Sequence, residues 1–167
     1  ERVGAAYMPI SSQPIADNNN LSFFYRERAR LAMMSGALRE AQRLAEASVR
    51  HARAAVEAGP RAVEPVIFLS EALVAQGGAA VLSGDRARAR ALGRESLELA
   101  RQAQRRERGS GPARSAEVLA LMLLGDVEQD QRLIREAYNI MRQMERDGQL
   151  EPEQVQALRM MERAGIR

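Results

Sequence analysis

The chain has no cysteine and no lysine. Lacking cysteine, it has no disulfide, no thiolate metal site and no thiol nucleophile. Lacking lysine, it has no Schiff-base amine and no phosphate-loop lysine, so Gly109-Ser110-Gly111 reads as a linker rather than a phosphate cradle. Its only histidine, His51, stands mid-helix near Arg50 and Arg53, whose charges disfavour the imidazolium; we expect a solvated surface histidine. One histidine with scattered carboxylates makes no metal site, and no paired acid and base share an evident cleft. The expectation is a chain with no cofactor, no metal and no catalytic set.

Aromatics are 4% of the 167 residues, and strand-favouring residues are sparse. Alanine, leucine, arginine, glutamate and glutamine dominate, and all favour helix. The length suits one domain. The apolar stretch from Val66 to Leu82 is interrupted by Glu71, Gln76 and Gly77-Gly78, which argues against a membrane span. All 25 cations are arginine and the net charge is +3. Most of these arginines fall among glutamates on what read as solvated helix faces, a pattern a GC-rich genome also produces. The other reading is selection for bidentate contacts to carboxylate or phosphate. A first residue other than methionine reads either as a mature product after signal cleavage or as a trimmed start; with the absent cysteine, an exported or periplasmic bacterial protein is slightly favoured over a cytoplasmic one.

Residues 1–20 hold no evident helix. Pro9, Pro14 and Ser11-Ser12 break the pattern, and Asn18 to Asn20 end it. Val3, Tyr7, Met8, Ile10 and Ile15 are too apolar for a free tail, so an extended arm lying on the domain or on a partner is expected. Asn19 or Asn20 then caps a first helix. Residues 21–167 read as one helical domain: hairpins over about 21–58, 65–108 and 113–146, and a short cap over 152–164 begun by Pro152. Turns are expected at Ser35-Gly36-Ala37, Ser83-Gly84-Asp85 and Leu124-Gly125-Asp126. Gly59-Pro60 and Gly109 to Pro112 separate the hairpins. The third helix is apolar almost all round and must be covered on every side, which puts it mid-stack.

Small residues recur at matching offsets around the turns. The second hairpin has Leu73, Gly77, Ala80, Gly84-Asp85, Ala89, Gly93 and Ser96; the first has Tyr25, Ala29, Ala32, Gly36, Ala41, Ala45 and Ser48. The third keeps Gly125-Asp126 but has Asp130 where alanine is expected. In these positions the chain resembles tetratricopeptide repeats, whose unit is a helical hairpin of about 34 residues. Here the turn glycines Gly36, Gly84 and Gly125 stand 48 and 41 residues apart, a longer period. The resemblance implies an all-α right-handed superhelix of three antiparallel hairpins with a C-terminal capping helix. It also implies a concave face that grips a peptide or helix of another protein. In one subtype cations on the first helices clamp a terminal carboxylate. Arg26 and Arg30 fit part of that clamp, but Val74 and Gly78 fill the corresponding places in the second hairpin, so the specificity is not carried over.

The sharpest charged feature is the fourth helix, where Arg86, Arg90, Arg94, Arg101 and Arg105 follow one stripe. It reads either as a solvated face with intrahelical pairs such as Arg94 with Glu98, or as a contact for an anion. Clustered cations suffice for phosphate, but there are no aromatics for stacking on bases. Met33, Met34, Met141, Met144, Met160 and Met161 read chiefly as core. The expected function is a non-enzymatic adaptor, a subunit or assembly factor of a larger complex. It would bind a partner protein through its concave face and through the arm at Tyr7, Met8 and Ile10, with Arg26 and Arg30 among the contacts. The alternative is an arginine-stripe module for nucleic acid or an anionic surface.

Overall fold

A computed structural model describes residues 13–166, among which there are seven α-helices and no strand. They are α1 (Pro14–Met34), α2 (Leu38–Ala58), α3 (Glu64–Leu82), α4 (Arg86–Arg106), α5 (Gly111–Glu128), α6 (Gln131–Arg146) and α7 (Pro152–Arg163). The all-α expectation is met. Each helix packs on the next in sequence, and α1 and α5 also both pack on α3. Thus α3 touches α1, α2, α4 and α5, which is why it is apolar all round. By length and composition α3 is apolar enough to cross a membrane. In this fold its Val66, Leu69, Ala72 and Leu73 are buried among four other helices, the ordinary state of a core helix.

The first helix corrects the sequence reading. It begins at Pro14, so residues 14–20 are helical rather than an extended arm, and Asn19 and Asn20 lie inside the helix rather than capping it. A proline in the first helical turn gives up an amide that has no partner there anyway. Ile15 then packs against Gly59 at the end of α2, where a Cβ would collide with it. Asn19 is buried, and among the described residues neither polar atom of its side chain has a hydrogen-bond partner. The expected contacts Tyr7, Met8 and Ile10 lie outside the described residues.

The third turn is also corrected. Gly125-Asp126 lies within α5, and Gln129, at φ 56°, takes the left-handed conformation that Gly36 (φ 74°) and Gly84 (φ 83°) take in the first two hairpins. The same hydrogen bond closes each: Ala37 N–H to Ala32 O, Asp85 to Ala80, and Asp130 to Gly125. Asp130 is therefore the counterpart of Asp85. Each carboxylate caps the following helix, Asp85 accepting from Arg88 N–H and Asp130 from Arg132 N–H, both at 2.9 Å. Gly125 serves a different purpose, since a Cβ there would overlap Ile134. Gly111 and Pro112, expected in a linker, form the first turn of α5.

Buried serines clasp the first two hairpins. Ser48 Oγ donates to Ser22 O at 2.9 Å, and the two hydroxyls lie 3.2 Å apart. Ser70 and Ser96 bond reciprocally to each other's carbonyls at 3.0 and 2.9 Å. All four are buried. The α1–α2 seam is otherwise lined by Ala29, Ala32, Ala41 and Ala45 around Leu44, so the helices approach closely. The C-terminal end uses larger side chains, with Leu121, Met141, Met144, Leu158 and Met161 in one cluster. Each such burial stabilises by roughly 1.5–3 kcal/mol. Leu123 and Leu124 of α5 fit into the notches left by Gly77 and Gly93, joining the third hairpin to the second.

Candidate functional site

The odd-numbered helices share one face of the molecule. Between α1 and α3 lies a cleft of about 360 Å³ bounded by Arg26, Arg30, Met33, Val74, Gly78 and, from α5, Leu119. It continues past Glu71 into a cleft of about 650 Å³ with Phe23, Ile67, Phe68 and Pro112 as its apolar lining. Glu64, Glu71 and Glu107 border this second cleft. A third, more polar depression of about 460 Å³ runs from Glu71 to Ser115, Glu151 and Gln154, bringing in α7. Glycine at 78 keeps the backbone of α3 open to the groove; the nearest atom to a Cβ there is the Met33 sulfur at 3.7 Å.

The geometry decides what each expected contact does. Arg26 forms an ion pair across the groove with Glu71, lies 3.5 Å from Glu27, and holds its guanidinium 5.2 Å from the centre of the Phe23 ring. It is thus neutralised in place. Arg30, much more exposed, pairs with Glu27 at 3.1 Å. These two expected residues do come together in the groove. Because both already hold carboxylates, they make a poor clamp for a partner's carboxylate. Around the first two clefts four carboxylates, Glu27, Glu64, Glu71 and Glu107, face two guanidiniums. The groove is acidic in a chain of net charge +3.

The arginine stripe lies elsewhere and is engaged. Arg90 and Arg94 both reach Glu128 at 3.3 and 2.9 Å. Arg86 donates to the carbonyls of Asp126 and Val127 at 3.1 and 3.0 Å, near the end of α5. Arg101 pairs with Glu117 at 2.8 Å and Glu136 at 2.7 Å. The Glu117 contact raises the Arg101 pKa further, against the opposing effect of burial. Glu117 is buried and also accepts from Gln104. Arg105 pairs with Glu98 at 2.7 Å. Most of these pairs join α4 to α5 and α6, rather than following the intrahelical pattern expected for Arg94 and Glu98.

His51 is not a free surface group. Its ring stacks on Tyr25 at 5.4 Å with planes 7° apart, and Nδ1 lies 3.0 Å from Asn18 Oδ1. Asn18 Nδ2 donates to Pro14 O, so its oxygen is the acceptor and His51 Nδ1 the donor. Burial first, and Arg50 second, hold its pKa below the usual 6.5. Among the methionines, Met141, Met144 and Met161 are core, Met33 lines the groove, and Met34 and Met160 are exposed. Among the described residues no group of three or more His, Asp or Glu is placed to hold a metal ion.

The sequence alone does not mark Phe23, Phe68, Glu64, Glu71 and Glu107 as contacts. They lie on α1, on α3 and after α4, and nothing local marks them as neighbours. The available signal was weak: two aromatics in a chain nearly without them, each three or four residues from a carboxylate or arginine. No family model, no curated protein and no solved structure matches this chain.

Proposed function

We propose that this protein is a non-enzymatic adaptor, a tetratricopeptide-like stack of helical hairpins that holds a segment of another protein in the groove of its odd-numbered helices. The observation that carries this reading is the groove itself: an open apolar trough with an aromatic, Phe23, half exposed to solvent and flanked by charged side chains. Exposed aromatics in a concave, charge-rimmed surface are the usual anchors of protein recognition. The packing pattern, with odd helices touching one another and even helices bridging them, supports the repeat reading. The alternative, an arginine module for nucleic acid, has less in its favour. Arg86, Arg90, Arg94, Arg101 and Arg105 all have internal partners that a phosphate would have to displace.

The test is affinity purification from the native source with the full chain, a Phe23→Ala/Phe68→Ala variant, and an Arg86→Ala/Arg90→Ala/Arg94→Ala variant. A defined protein held by the first and third chains and lost by the second supports the adaptor. Nucleic acid held by the first two chains and lost by the third would replace it with the alternative.

A further inference from the structure

We infer that the groove is selective for a basic segment of a partner protein, one in which an apolar side chain is flanked by arginine or lysine. This rests on the groove being a protein-binding site and goes on to name the chemistry of its occupant. Most carboxylates in this arginine-rich chain have a guanidinium partner: Glu40 with Arg43, Glu46 with Arg88, Glu95 with Arg53, Asp147 with Arg114. Glu64 and Glu107 both line the aromatic cleft and, like Glu57 and Glu153 elsewhere, have none among the described residues, although the chain has cations to spare. Arg106, next in sequence to Glu107, donates to Pro60 O at 3.4 Å and forms no ion pair with either carboxylate among the described residues.

The two carboxylates border a cleft lined by Phe23, Ile67, Phe68 and Pro112. An apolar side chain seated in this cleft would bring a flanking cation towards one or both carboxylates. Arg26 cannot supply that charge from within, since Glu71 and the Phe23 ring already hold it. A segment with acidic flanks would meet the surplus carboxylates instead, and like charges at an interface exclude wrong partners.

The experiment is selection of a displayed random-peptide library on the full chain, with counter-selection on the Phe23→Ala variant. Selected peptides are then measured by fluorescence anisotropy. The expected result is enrichment of net-positive peptides that contain an aliphatic or aromatic residue. Glu64→Gln/Glu107→Gln should weaken them about tenfold, with a reduced dependence on salt. Phe24→Ala, an exposed aromatic outside the clefts, should leave affinity unchanged. All variants are checked for an unaltered unfolding curve. Enrichment of neutral or acidic peptides that still need Phe23 overturns the basic-partner inference and leaves the adaptor standing. No peptide that distinguishes the full chain from Phe23→Ala overturns the adaptor reading with it. Tighter binding by a chain beginning at Gln13 than by the full chain would give the groove to residues 1–12 and overturn the assignment to a partner.

Discussion

His51 sits between α1 and α2 with its ring on Tyr25 and its Nδ1 hydrogen held by Asn18. Its pKa is depressed in the folded state, so the unfolded chain binds this proton more readily. Stability from this site is complete above about pH 6.5 and declines as the pH falls through that value and below. We expect the urea midpoint to drop between about pH 7.5 and 5.5 and the drop to be flattened in His51→Gln. Equal slopes for both chains would remove the imidazole from the account. The depressed carboxylates Glu40, Asp130 and Asp147 titrate below this window, from ordinary values of 4.5, 3.8 and 3.8. At this scale the sequence showed the neighbouring arginine and the sign of its effect. It did not show the stacking, because Tyr25 and Asn18 lie on another helix.

At the scale of the element, Gly125 is the instructive case. Replacing a helical glycine by alanine commonly stabilises, by about 0.4–1 kcal/mol where the backbone allows it. Here the added methyl would overlap Ile134 of α6, and both its Cδ1 and Cγ1 stand in the way. Overpacking of that kind costs about 1–3 kcal/mol, so Gly125→Ala should lower stability on balance. Adding Ile134→Ala should recover part of the loss. Matching clusters in the first two hairpins already use alanine on both sides, Ala32 with Ala41 and Ala80 with Ala89. Denaturant unfolding of the two variants checks this; a more stable single variant would be the contrary result. The helices themselves were legible, because apolar spacing and composition mark them without any tertiary knowledge. Two boundaries were not. A proline that begins a helix and one that breaks it look alike in sequence, as at Pro14. A glycine that turns a chain and one that admits a neighbour look alike too, as at Gly125.

Across the whole molecule, contacts run between helices one or two apart in the chain, and α3 is the element with neighbours on all sides. Amide exchange should therefore be slowest in α3 and fastest in α7, which packs chiefly on α6. Equal protection of α7 and α3 would contradict this. The central place of α3 was legible from its all-round apolarity. The groove was not, because its rim comes from Phe23, Glu64 and Glu107, which only the stacking brings together. The serine clasps were visible only as a 48-residue offset, Ser22 to Ser70 and Ser48 to Ser96, matched by Gly36 to Gly84. That offset has a kinetic consequence. Ser96 on α4 offers Ser22 the same hydroxyl and carbonyl that Ser48 on α2 does, so a chain refolding from denaturant should have two candidate mates for the serine on α1. Closing the longer loop costs more entropy, so the tight turn at Gly36 steers α1 to α2 before the mismatched pairing can form. A chain with that turn loosened would lose the race more often and collect a slow-refolding, misregistered fraction.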